Sequence, residues 1–203
     1  NNSVINQNEQ SLAMRVGGDG LQPGDSRAVF KNVSVDMRQF NKLKMFLHAE
    51  ALPSPSDPTP LQNDQMIGFI RFGNDFTQNF YQVEIPLKRT LANDASTAEK
   101  VWPEENNMDI ALALLTRIKI LAKQNPSDIN GVYSKFDWEI DESIPKKPNS
   151  LLISVKGNPN FGLVRTLMVG VKNNTINGVD PNNVAIPDRK VVGEVWFNEL
   201  RLS

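Results

Sequence analysis

The sequence contains no cysteine and a single histidine, His48. The first absence excludes a disulfide framework, a cysteine metal site and a thiol nucleophile. It fits the cytosol and a disulfide-free exported protein about equally. One histidine leaves a zinc site short of ligands. Any Ser-His-Asp arrangement would have to use His48. Its neighbours along a strand-like run are apolar, and no Gly-x-Ser-x-Gly elbow accompanies it. His48 therefore reads as a structural or surface side chain. Long apolar runs are also missing. A spanning helix needs roughly 18 to 20 apolar residues, and the longest stretch, 110–121, is broken by Thr116, Arg117 and Lys119. Charge of one sign is not concentrated anywhere, and the net charge is −1. That leaves no footprint for nucleic acid and no basic block for an anionic membrane surface.

What remains is a chain of 203 residues, 39% hydrophobic and 22% charged. This suits one domain with a sizeable core. The start, Asn1-Asn2-Ser3, lacks Met and a signal peptide. A segment cut from a longer protein is expected, with tag removal or processing as the plainer account.

Short β-patterned runs between turn-rich stretches dominate. Residues 9–16, 27–35 and 42–49 alternate apolar and polar side chains. Residues 17–25 read as a Gly/Pro loop, and 36–41 as a short turn. Pro53, Pro55, Pro58 and Pro60 mark an extended loop. Residues 66–72 and 80–86 form a hairpin around Gly73-Asn74-Asp75. Residues 107–123 predict the one helix, with Ile110, Leu114, Ile118 and Leu121 at helical spacing, Asn107 as cap and Pro126 beyond the end. Strands return at 150–156, 164–172 and 191–202, and Leu167 to Val171 read as buried on both faces. About nine strands and one helix predict an all-β, mostly antiparallel sandwich or galactose-binding-like jelly roll. Residues 1–203 read as one domain.

Several residues carry groups capable of chemistry. Glu104 with Glu105, and Asp141 with Glu142, are adjacent acids in loop-like stretches, which read as solvated rather than as an acid/base pair. The Gly17–Gly24 stretch lacks the ending of a phosphate loop. No cofactor is expected beyond a structural calcium. For calcium, a hard cation seeking several oxygens, Asp19 and Asp25 are one candidate set. Glu9, Asn198 and Glu199 are another, if first and last strands meet. Trp102 and Trp138 are candidates for ligand or interaction contacts, including sugar stacking. Trp196 reads as core.

Certain strings carry a resemblance. They are residues 42–50 (Lys-Leu-Lys-Met-Phe-Leu-His-Ala-Glu), 69–76 (Phe-Ile-Arg-Phe-Gly-Asn-Asp-Phe) and 81–87 (Tyr-Gln-Val-Glu-Ile-Pro-Leu). Residues 101–107 (Val-Trp-Pro-Glu-Glu-Asn-Asn) and 194–202 (Glu-Val-Trp-Phe-Asn-Glu-Leu-Arg-Leu) are the most specific. In this order, from about Glu9 to Ser203, they resemble a segment of the SprA/Sov family of giant cell-surface proteins from gliding bacteria. Residues 53–60 and 173–188 read as variable insertions. The resemblance implies a non-enzymatic, soluble domain inserted in the outer-membrane barrel that serves as the translocon of type IX secretion. The cell exterior is the expected side, with the periplasm as the alternative. Implied partners are the remainder of the barrel, accessory outer-membrane lipoproteins and exported cargo, with no nucleic acid. The isolated domain is expected to be monomeric. The competing reading is a carbohydrate-binding jelly roll on the cell surface.

Overall fold

In the run Lys42–Ala51, Leu43, Met45, Leu47 and Ala49 are buried while Lys42 and Lys44 are exposed. Side chains of a strand alternate between faces, so this run needs an apolar layer on one side only. The computed structural model describes residues 11–52, 61–91, 97–174 and 190–203. Ten strands follow in order: β1 (Leu12–Leu21), β2 (Ser26–Val35), β3 (Lys42–Ala51), β4 (Met66–Gly73), β5 (Phe80–Pro86), β6 (Met108–Ala111), β7 (Val132–Phe136), β8 (Leu152–Lys156), β9 (Val164–Asn173) and β10 (Val191–Leu202). The helices are α1 (Ala98–Val101), α2 (Leu112–Gln124) and α3 (Asp137–Ile140).

The strands form two antiparallel sheets, ordered β1-β10-β3-β6 and β2-β9-β4-β5-β8-β7. Their inner faces share one core, from Leu47 and Val195 on the smaller sheet to Ile70, Val83 and Ile153 on the larger. The smaller sheet is two strands narrower. Helix α2 extends its layer, packing Leu115 and Ile118 into the same core beside β7 and β8. The all-β sandwich expected from the sequence is the fold.

Several local expectations are corrected. The helix begins at Leu112, not at 107. Met108 and Ile110 are buried while Asp109 and Ala111 are exposed, a period of two that completes the edge of β3 through Leu43↔Ile110 and Met45↔Met108. Asn107 therefore does not cap; the Leu112 N–H donates instead to the Asn41 carbonyl at 2.8 Å. In the helix, Leu112, Leu115, Ile118 and Leu121 fall three apart on the core side. It stops where Asn125 turns extended before Pro126.

Residues 17–21 are strand rather than loop. Gly18 and Gly20 adopt φ +61 and +64, which glycine takes without a Cβ penalty. The register jumps from Val16↔Gly193 to Leu21↔Val191, a bulge that keeps β1 on β10. Gly20 lies against the Val191 carbonyl, where a Cβ would sit 2.7 Å from the oxygen. The turn itself is Gln22–Asp25, closed by the Asp25 N–H on the Gln22 carbonyl.

Strand β7 and the single-turn helices α1 and α3 were not anticipated. Leu167, Met168 and Val169 are half-buried rather than buried on both faces, because the sandwich is open on that side. The prolines at 53, 55, 58 and 60, and the 175–188 part of the second expected insertion, lie outside the described residues.

Candidate functional site

The outward face of the smaller sheet carries a row built by register. Arg15 lies opposite Glu194, and Trp196 opposite His48. Trp196 was expected in the core. Its neighbours Val195 and Phe197 take the inward positions, so alternation turns its indole outward, half-buried. Both oxygens of Glu194 are occupied: Trp196 Nε1 and Arg15 Nε each donate at 2.6 Å. The Trp196 bond leads in holding this carboxyl below its ordinary range; burial opposes it and Arg15 adds to it.

The chain after β5 crosses to this face. The Thr90 N–H donates to the Ala49 carbonyl at 2.7 Å, and the Thr90 hydroxyl to the Lys100 carbonyl at 2.9 Å. His48, 1% exposed, donates from Nδ1 to the Val101 carbonyl at 2.7 Å. A carbonyl only accepts, so this bond sets the proton on Nδ1. Nε2 then faces Glu50 Oε2 at 3.4 Å. Helix α1 is thus pinned across β3, and Trp102 follows it onto the row. Trp102 lies 6.0 Å from the His48 ring and 6.1 Å from Trp196, with His48 and Trp196 at 4.4 Å.

The remainder of the Trp-Pro-Glu-Glu-Asn string secures this arrangement. Pro103 and Asn106 are buried. Asn106 accepts from the Lys88 N–H at 2.7 Å and donates to the Lys88 carbonyl at 2.8 Å. Glu105 pairs with Lys88 Nζ at 2.6 Å, and Asn149 donates to the Glu105 carbonyl. The two most specific sequence strings therefore meet at Trp102 and Trp196, and the side-chain oxygen of Asn107 is buried there without a hydrogen-bond partner among the described residues.

The candidate acids are dispersed in role. Glu104, Glu105, Asp109 and Asp137 border an open groove of about 840 Å³ with Lys42 and Lys147. Lys88 leads in holding the Glu105 carboxyl below its usual range. Asp109 is 3.2 Å from Lys44. Burial pushes the Asp137 carboxyl up, opposed by N–H bonds from Trp138 and Leu151. Asp141 is tied to Ser143 and Arg117 and lowered by them, the Ser143 bonds leading. Glu142 instead borders the shallow surface beside Trp138. In the groove, Glu105, Asp109 and Asp137 each hold a cation or backbone donors, while the Glu104 carboxylate is exposed and has no partner among the described residues.

The remaining sequence candidates are not brought together. Trp138 lies in α3, stacked on Phe136 at 6.2 Å with Lys146 Nζ 5.0 Å from its ring. Its ring contacts are with Phe136 and Lys146, whereas those of Trp102 are with His48 and Trp196, so among the described residues the two indoles share no ring contact. β1 and β10 do pair, but Glu9 lies outside the described residues. Glu199 sits at a bulge with φ 52 and pairs with Arg201 at 2.8 Å. Asn198 borders a cavity between the sheets. Asp19 is 3.7 Å from Lys190, and Asp25 closes its turn. Among the described residues no group of three acids or histidines could hold a metal.

One feature escaped the sequence reading. An apolar cavity of about 300 Å³ opens between the two sheets, bordered by Leu12, Val29, Lys31, Val169, Phe197 and Leu200 among others. The signal was present as Val29-Phe30 inside a run otherwise bounded by Arg27, Lys31 and Asn32.

No curated protein was found that matches the chain. The family described as motility related/secretion protein, SprA_N, matches residues 1–203. The strings that meet at Trp102 and Trp196 are the ones that carried the resemblance, and with the match running the full length, the chain belongs to the SprA_N family of motility-related and secretion proteins.

Proposed function

We propose that this chain is a non-catalytic structural and interaction domain of the outer-membrane translocon of type IX secretion. It would serve cell-surface protein export and gliding from the exterior side of the membrane. The observation that carries this reading is the family match over the whole chain. The fold supports it. β1 and β10 are antiparallel neighbours, with Leu12 opposite Phe197, so chain rising into β1 and leaving β10 does so at one end of the sandwich. An insertion between two barrel strands needs that proximity. The Trp102 string locks a loop to a rigid sheet, and rigid scaffolds present loops to partners. Those partners would be the rest of the barrel, outer-membrane lipoproteins and cargo.

The test replaces this domain by a short Gly/Ser linker in the full-length protein. The barrel is expected to reach the outer membrane while cargo export and gliding are lost. Export and gliding at wild-type levels would refute the reading. Loss of the barrel itself is addressed by Trp102→Ala, which alters the latch without removing the domain.

A further inference from the structure

Among the described residues the two sheets have four edge strands, and three are protected. β1 is interrupted by the Gly18–Gly20 bulge, β6 has four residues and β7 five. Short or bulged strands are the usual defences against unwanted pairing. β2 is ten residues long, contains no proline, and pairs with β9 in unbroken register from Ser26 to Asn32. No described strand covers its other edge, and its residues from Ser26 to Asn32 are all exposed.

This edge borders the apolar cavity. Val29 and Lys31 line it from β2, and Leu12 and Leu200 from the opposite sheet. Val29 is 43% exposed, Leu12 and Leu200 40%, and Phe30, on the other face of β2, 65%. Phe30 rests only edge-on against Phe76, at 4.9 Å between centroids. A strand with exposed apolar groups on both faces and an unpaired backbone edge lacks a neighbour. Its charges describe that neighbour. Arg27, Val29 and Lys31 share one face by alternation. Neither cation has an ion-pair partner among the described residues, and Arg27 reaches only the Ser26 carbonyl.

We propose that β2 is a docking strand for one extended segment of another polypeptide, which adds to the larger sheet as a further strand. The segment carries apolar side chains at alternate positions, which enter the cavity beside Leu12 and Val29, and a carboxylate between them that meets Lys31. Backbone bonds would supply affinity, and the alternate side chains specificity. The proposal rests on the reading of the chain as an interaction domain and names the class of its partner. A second copy is disfavoured as occupant because it would bring Arg27 and Lys31 against themselves.

The test uses the whole chain and the peptide acetyl-Thr-Val-Thr-Glu-Thr-Val-Thr-amide, with a second peptide bearing Lys in place of Glu. Binding is followed by titration and by backbone amide exchange. The Glu peptide is expected to bind saturably and to protect amides of residues 26–32. The Lys peptide should bind about tenfold more weakly, and Lys31→Glu should reverse the preference. Lys31 is exposed, and an unchanged melting temperature confirms that the variant folds. No protection of β2 by either peptide, protection confined to another strand, or equal affinities unaffected by Lys31→Glu would overturn the proposal. So would peptide-free self-association abolished by Val29→Asp, which makes a second copy the occupant. The linker replacement reads the functional proposal independently. Peptide binding with dispensable export sinks the function alone, whereas export that needs the domain without peptide binding sinks only the docking strand.

Discussion

Trp102 and Trp196, one from each of the two most specific strings, stand 6.1 Å apart between ring centroids, each also in contact with the His48 ring. The relationship ties a crossing loop to the central strands of the smaller sheet. Removing one ring tests it. Trp102→Ala is expected to cost about 2 kcal/mol, below the 3–5 kcal/mol of a fully buried aromatic because this ring is half-exposed. Trp102→Phe should recover about half. Urea unfolding measures both. A loss under about 0.5 kcal/mol for the alanine variant would mean the contact carries no stability.

The Asn106 clamp makes a sharper chemical prediction. Its amide both accepts from and donates to the Lys88 backbone while fully buried. Asn106→Asp keeps the acceptor but sets a second oxygen against the Lys88 carbonyl. Burial of an unpaired acceptor costs about 1–3 kcal/mol, more if charged. Asn106→Asp should therefore be at least as damaging at neutral pH as Asn106→Ala, and should regain stability under mild acid as the carboxyl protonates. Denaturant unfolding of both variants at pH 7 and pH 5 distinguishes this outcome from a simple packing loss.

Much of this architecture was legible from side-chain periodicity, and the failures share a cause. The runs that became β3, β4, β5 and β10 alternate or are continuously apolar, and they were placed within a few residues. Residues 108–111 satisfy both a helical and a strand reading, because Ile110 sits four before Leu114 and two after Met108. The vacant edge of β3 decided between them, and that edge is a tertiary fact. The glycines at 17–20 read as a loop because their left-handed backbone is used here to make a bulge within a strand. Trp196 was placed in the core by its composition, although the phase of Val195 and Phe197 already pointed it outward. That His48 would receive Trp102 was invisible, since the segment after β5 must first cross between sheets. The open edge of β2 was invisible for the same reason, as strand order is not written in any single run.

Acid should loosen the turn between β4 and β5. Burial raises the Asp75 carboxyl, but N–H bonds from Gln78, the Asn79 side chain, Thr77 and the Asn79 backbone together outweigh it and hold it well below its ordinary value. A depressed folded pKa contributes stability that is full above the unfolded value of about 3.9 and is lost as pH falls toward the folded one. Stability attributable to Asp75 is thus expected to be constant above about pH 5 and to decline below about pH 4. Asp75→Asn should be less stable than the parent at pH 6, with the gap narrowing toward pH 3. A gap independent of pH in unfolding titrations would show that the carboxylate charge is not what orders the turn.

Gly68 faces Leu47 of the opposite sheet at close approach. A Cβ there would overlap Leu47 Cδ2 and touch Leu87 Cδ1 at 3.4 Å, and both leucines are buried at 1% or less. The two layers close over a residue with no side chain, so Gly68→Ala should overpack the core at a cost of about 1–3 kcal/mol. The obstruction is the end of a side chain rather than backbone, which makes it relievable. Leu47→Val removes a methylene and should cost about 1 kcal/mol alone. Combined with Gly68→Ala it makes room for the new methyl, so the double variant should be more stable than the sum of the single losses by about 1 kcal/mol. Denaturant unfolding of the four proteins gives that coupling directly. Strict additivity would mean that the sheets separate as rigid layers when Gly68 is filled, and that Leu47 is not the contact that sets their spacing.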